Sequence, residues 1–135
     1  SFWNGLPNLY ELAKEISPDD TKFQYLDAAQ LIKHILGLKK NSDEYNSNLV
    51  QKYHFVEGKR NLILKRNFHL LYLWYDVIGK EGSKHRKEIE QFAEIAKKDN
   101  IKFSHITYQE VIAKLSKEFY NGNESYCNYL TDRYL

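Results

Sequence analysis

Methionine is absent from the 135 residues and cysteine occurs once. A chain without methionine cannot retain its initiator, so something is expected to have preceded Ser1: a lost initiator or tag, or more of a longer parent protein. The opening Phe2-Trp3-Asn4-Gly5-Leu6 is apolar for a free terminus and reads more easily as an internal segment. With Cys127 alone, no internal disulfide forms and no Cys-based zinc site is completed, which fits a reducing cytoplasm. Proline and glycine are scarce, at 2 and 6 residues, which excludes fibrous and low-complexity classes. No apolar run approaches the roughly 18 to 20 residues of a membrane span, and no basic, apolar, small-residue leader is present. An excess of one charge is missing as well. Lys and Arg number 20 against 18 Asp and Glu, a net charge of +2 that does not by itself argue for nucleic acid, so any basic face must be local.

What is present is a globular composition, 42% hydrophobic and 28% charged, in a chain of the size of one domain, residues 1–135. Leu9, Leu12 and Ile16 recur at helical spacing behind Asn8 as cap, and Ser17-Pro18-Asp19-Asp20 breaks that helix. A second helix is predicted from Phe23 to Leu38, with Gly37 as its stop signal, followed by an exposed loop over Lys39 to Asn48. From Leu49 to Lys65 the pattern fits a hairpin or a short helix. Phe68 to Val77 is almost continuously apolar and predicts a central strand covered on both faces. After a Gly79 to Gly82 turn, Ser83 caps a helix with Ile89, Phe92, Ala93 and Ala96 inward, ended by Asp99-Asn100. Ile101 to Ile106 reads as a short strand. Thr107 and Glu110 then form a capping box for a helix to about Tyr120, with Val111, Ile112, Leu115 and Phe119 inward. A last helix, Glu124 to Tyr134, is expected to pack Tyr126, Tyr129 and Tyr134 into the core. Strand, helix, strand with one crossover predicts an α/β fold, a small parallel or mixed sheet flanked by helices with a helix-rich C-terminal part. Two strands alone are few, so further partners are expected from the Leu49 to Lys65 region, an upstream segment or another chain.

The letters of a metal-dependent nuclease occur as Pro18-Asp19 and then Glu57-Gly58-Lys59. Acid-x-Lys arises by chance about twice in a chain this charged, and Asp20-Thr21-Lys22 repeats it. Gly58 also points to a turn, which would keep Glu57 and Lys59 off a shared strand face. The histidines, His34, His54, His69, His85 and His105, show no spacing typical of a zinc or iron site. His69 and His105, one on each strand, are the pair the fold would bring together. Basic clusters stand at Lys59-Arg60, Lys65-Arg66, Lys84 to Lys87 and Lys97-Lys98. Lys84, Arg86 and Lys87 are expected in the first turn of their helix, where positive charge opposes the helix dipole and so hints at an anionic partner.

Gln30 to Leu38, Leu71-Tyr72-Leu73-Trp74-Tyr75-Asp76, His85 with Glu88-Ile89 and Phe92, Tyr108-Gln109-Glu110, and the closing Tyr129-Leu130-x-x-Arg133-Tyr134 together resemble the C-terminal part of a PD-(D/E)XK restriction-endonuclease-like family. The resemblance implies a mixed sheet between helices and a Mg²⁺-dependent DNA endonuclease hydrolysing phosphodiester bonds. It also implies that the catalytic acid-x-Lys strand lies upstream of the helix at Gln30 to Leu38. That strand would precede Ser1, so no metal ligand is carried onto this chain, which alone is expected to be inactive. Glu57-Gly58-Lys59 falls on the wrong side of the helix. The residues the resemblance leaves to hold DNA are Gln30, Lys33 and His34 on one helix and Lys84, Arg86 and Lys87 on another. The rival reading is a non-enzymatic module binding nucleic acid or protein through exposed aromatic and basic groups.

Overall fold

The computed structural model describes residues 2–53 and 67–135. Among them are five helices and two strands: α1 (Pro7–Ile16), α2 (Ala28–Tyr53), β1 (His69–Trp74), α3 (Lys80–Lys98), β2 (Lys102–Thr107), α4 (Tyr108–Phe119) and α5 (Glu124–Tyr134). The strands pair in parallel, His69 opposite Lys102 through Trp74 opposite Thr107, with α3 as the crossover. The α/β class read from the sequence holds, and the described sheet is parallel rather than mixed.

The core lies between α1, α2, α3 and one face of this sheet. Leu9, Leu12 and Ile16 of α1, Leu31, Ile32 and Ile35 of α2, and Ile89, Phe92 and Ala96 of α3 are all buried in one cluster. These are the stripes their helical spacing predicts, each large side chain contributing about 1.5–3 kcal/mol by leaving water. From β1, Leu70, Tyr72 and buried Trp74 point to the same cluster, and Phe103 of β2 meets Phe92 edge to face at 5.2 Å. The other sheet face is open, with Leu71 58% and Leu73 42% exposed. Near-continuous apolarity had predicted cover on both faces of β1. Its alternate residues are instead buried and exposed, as on a sheet with helices on one side.

Several boundaries differ from the sequence reading, each for a local reason. Asn8 does not cap α1. Pro7 opens the helix and Leu6, with no capping side chain, stands at its N-cap. The orphan N–H groups of the first turn are taken by Asp99, at the far end of α3. Its carboxylate accepts from the Asn8 backbone N–H (3.1 Å), the Asn8 side-chain amide (2.8 Å) and the Leu9 N–H (2.8 Å). Nor does α2 begin at Phe23. The backbone N–H groups of Gln24, Tyr25 and Leu26 all donate to the Glu88 carboxylate of α3, at 2.6, 2.7 and 3.1 Å. The helix starts after them, capped by Asp27, which accepts the Gln30 N–H at 3.1 Å. It then runs through Gly37 and the stretch read as a loop. Nothing there breaks a helix, and Lys39 pairs with Asp43 one turn on at 2.6 Å. Of the hairpin or short helix expected over Leu49 to Lys65, residues up to Tyr53 continue α2. The remainder, with His54, Glu57-Gly58-Lys59, Lys59-Arg60 and Lys65-Arg66, lies outside the described residues.

Ser83 is likewise not a cap. α3 starts at Lys80 after Gly79, whose φ of 114° suits glycine. Gly82 is then buried inside the first turn, where a Cβ would collide with the Val77 carbonyl. At the other end Asn100 takes the left-handed φ of 59° that ends α3 as read. The Thr107–Glu110 capping box is present in both directions, at 3.0 and 3.2 Å. In α4 and α5 the inward set is smaller than expected. Ile112 and Cys127 are buried, whereas Leu115, Phe119, Tyr126 and Tyr129 are exposed, Tyr126 at 64%. Tyr134 is half-buried and stacks on Tyr108 (18° between planes, 6.4 Å).

Asp99→Ala would strand three donors, two of them backbone N–H groups of α1, and is expected to cost about 2–4 kcal/mol. Thr107→Ala, the loss of an ordinary cap, is expected to cost about 1 kcal/mol. Urea unfolding measures both, and an Asp99→Ala cost no larger than that of Thr107→Ala would show that Asp99 does not hold α1.

Candidate nucleic-acid interface

Alternation along β1 places Tyr72 and Trp74 on the covered face, where the second turn of α3 meets them. His85 of α3 packs against the Trp74 ring at 4.7 Å and shares a hydrogen bond with the Tyr72 hydroxyl through Nε2 at 3.1 Å. Arg86 lies over the same indole, 5.0 Å from guanidinium carbon to ring centroid, and reaches Asp76 at 3.3 Å. On the neighbouring strand His105 accepts the Trp74 indole N–H at Nδ1, 3.2 Å away. An indole nitrogen only donates, so this bond fixes the His105 tautomer with its proton on Nε2. Beyond the end of β1 the Gln109 side-chain amide brackets Asp76, accepting its N–H at 3.2 Å and donating to its carbonyl at 2.8 Å. The amide thereby supplies one more rung of the parallel ladder.

The carboxyl ends of parallel strands are where α/β folds commonly gather ligand-binding groups. Here those ends hold two imidazoles, a phenol and an ion pair around one buried indole. His85 is held below its ordinary value near 6.5 by burial, with the nearby Glu88 and Asp76 carboxylates pulling the other way. Tyr72 is held above its ordinary value of 10.0, first by burial and then by the charge of Asp27. Both groups are therefore neutral at physiological pH. Their hydrogen bond joins two uncharged partners.

The residues expected to face DNA divide into two sets. Gln30, Lys33 and His34 lie exposed on one face of α2, three and four residues apart, with no side-chain hydrogen bond or ion pair among the described residues. Lys84 and Lys87 are exposed on α3 beside Gln24 and Tyr25, together with Glu90 and Glu94. Arg86 is half-buried and partnered. Because α3 begins at Lys80, none of the three lies in its first turn; that turn carries Glu81. The dipole argument for an anionic partner thus falls. The two sets are linked through Glu88, whose grip on Gln24 to Leu26 leads into the first turn of α2.

His69 and His105 do not converge. The pleat puts them on opposite faces, His69 on the open one with Ser104 Oγ at 2.7 Å. Asp19 is exposed, and Asp20 turns the chain by accepting the N–H groups of Lys22 and Phe23. Among the described residues no three His, Cys, Asp or Glu side chains stand as a cation site. The Mg²⁺ that the resemblance implies is thus given no three-residue seat by them. Among the described residues no helix is long and apolar enough to cross a membrane.

Tyr72, Trp74, Asp76, His85, His105 and Gln109 were not singled out as a site by sequence reasoning. The signal for part of the set was there: Tyr72, Trp74 and Asp76 share the two-residue phase of β1, and His105 shares the phase of Phe103. Comparison of the chain with protein families, curated proteins and solved structures gives no match.

Stability should therefore fall on both sides of neutrality. In acid the unfolded chain binds a proton at His85 before the native state does, so stability is lost as pH drops through about 6.5 toward the lower native value. In alkali the unfolded chain gives up the Tyr72 proton first, so stability is lost as pH rises past 10.0. Urea midpoints should show both losses, with the acid loss reduced in His85→Asn and the alkaline loss reduced in Tyr72→Phe. Unchanged profiles in the variants would contradict this assignment.

Proposed function

We propose that this chain serves a nuclease-like protein by holding the backbone of DNA, with α3 as the principal contact and the exposed face of α2 as a second. The observation that carries the reading is the run Lys84, His85, Arg86 and Lys87 in one turn of α3, at the carboxyl end of β1. Among the described residues only Arg86 of these cations has an acidic partner, at 3.3 Å. The nearest carboxylate in sequence, Glu88, already accepts three backbone N–H groups and competes weakly for the lysines. Cations set along a surface in this way contact phosphates without reading sequence. In the fuller form of the proposal the chain is the C-terminal part of a Mg²⁺-dependent endonuclease of restriction-like fold. Phosphodiester hydrolysis would then depend on metal ligands supplied by other residues of the parent protein, and localisation would be cytoplasmic.

A second reading, a non-enzymatic binding module, has one observation in its favour. Tyr126 and Tyr129 are 64% and 54% exposed on α5 rather than packed. An aromatic surface of this kind suits a protein partner as well as a nucleobase.

Fluorescence anisotropy with a labelled duplex at low ionic strength separates the two. Backbone contact predicts affinity that falls linearly with the logarithm of salt concentration, and Lys84→Ala/Lys87→Ala should flatten that slope by roughly one unit per lysine. Tyr126→Ala/Tyr129→Ala should leave it unaltered. Absence of duplex binding at low salt would sink the DNA reading and leave the module.

A further inference from the structure

Trp74 carries more nitrogen chemistry around it than packing needs. His85 and Arg86 lie at 4.7 and 5.0 Å from its ring. His85 uses Nε2 on Tyr72 and has no protein partner at Nδ1 among the described residues. Arg86 engages one of its N–H groups with Asp76. A guanidinium carries five, and the other four have no acceptor among the described residues. The carboxylates nearby are committed, Glu88 to the backbone of Gln24 to Leu26 and Asp76 to Arg86. Half-buried donors in excess of acceptors complement an oxyanion.

We infer that a phosphate group docks at the carboxyl end of β1 on His85 Nδ1 and the outward N–H groups of Arg86, and that His85 takes up a proton as it binds. Tyr72 is the positioning residue that makes both states available. Its hydroxyl donates to Nε2 of the neutral ring and, after rotating, accepts from Nε2–H of the imidazolium. Neither the ring nor the strand has to move. The balance is simple: one proton passes from solvent to the imidazole, and no covalent bond changes. The groups facing His85 set the direction. Asp76 just beyond β1 and Glu88 of α3 favour the imidazolium, while burial and the positive charges of Lys84 and Arg86 of α3 oppose it; Asp27 before α2 acts on Tyr72, the Tyr25 ring lies 6.3 Å away, and His105 of β2 is turned to Trp74. An arriving phosphate adds negative charge to the first group and draws Arg86 outward, so the proton follows the ligand. The inference rests on the DNA reading for the source of the phosphate, the backbone of a duplex.

The test uses the full chain and two probes. With inorganic phosphate, an NMR titration of the histidine ring protons, His85 assigned through His85→Asn, should show the His85 midpoint moved upward by about half a pH unit or more. With a labelled duplex, affinity should rise as pH falls by up to about tenfold per unit, the limit for one linked proton. His85→Asn should abolish that slope, and Tyr72→Phe should shift it to lower pH. A His85 midpoint indifferent to phosphate overturns the inference and needs no variant. Duplex binding whose pH slope survives in His85→Asn also overturns it, leaving the DNA reading standing. A phosphate-shifted His85 in a protein that does not bind the duplex supports the phosphate site and rejects the DNA reading.

Discussion

Two carboxylates, one midway along a helix and one at its end, organise this fold. Glu88 midway along α3 and Asp99 at its end each accept three N–H groups from the N-terminal helical pair, Glu88 from the connection between α1 and α2 and Asp99 from the first turn of α1. A backbone N–H removed from water without a partner costs about 1–3 kcal/mol. The segments that carry these donors are therefore stable only when docked on α3. Apolar packing brings the helices together. It is not directional, and the register in which they meet is set by these hydrogen bonds.

The same helix then faces the sheet, and its turns divide the work. Ile89, Phe92 and Ala96 fill the core, while His85 and Arg86, one turn earlier, reach the end of β1. Glu88 stands at the border between the two regions. It orders the connection next to Tyr25, whose ring lies 6.3 Å from that of His85. The polar cluster is thus placed by the elements that close the core, and its geometry follows from their packing.

Much of this was legible from spacing. The stripes of α1, α3 and the first part of α2, the capping box at Thr107, the end of α3 at Asp99-Asn100 and the strand-helix-strand order all follow from periods and local chemistry that neighbouring residues determine. What was illegible depended on partners far along the chain. Asn8 looked like a cap because Asp99 lies about ninety residues away, and Phe23 looked helical because nothing near it announces Glu88. Ser83 lost its role to Gly79, and that shift of one turn moved Lys84, Arg86 and Lys87 away from the helix terminus. The tyrosines of α5 misled for a different reason. Their spacing is that of a buried stripe, but α5 has too little to lie against, and Cys127 takes the inward position. The Trp74 cluster was half visible, since strand phase groups Tyr72, Trp74 and Asp76, while nothing local brings His85 and His105 to them.

Three of the four residues from Thr107 to Glu110 fasten the start of α4. Thr107 and Glu110 cap each other, and between them Gln109 grips the backbone of Asp76. The helical hairpin of α4 and α5 is therefore anchored at its root, with Ile112 and Cys127 its only buried hydrophobic residues among those described. Mechanically it is a cantilever: the fixed end shares the stiffness of the sheet, and the aromatic residues ride on the free length. A load applied to those rings is delivered as torque at Gln109, directly beside the carboxylate that steadies Arg86.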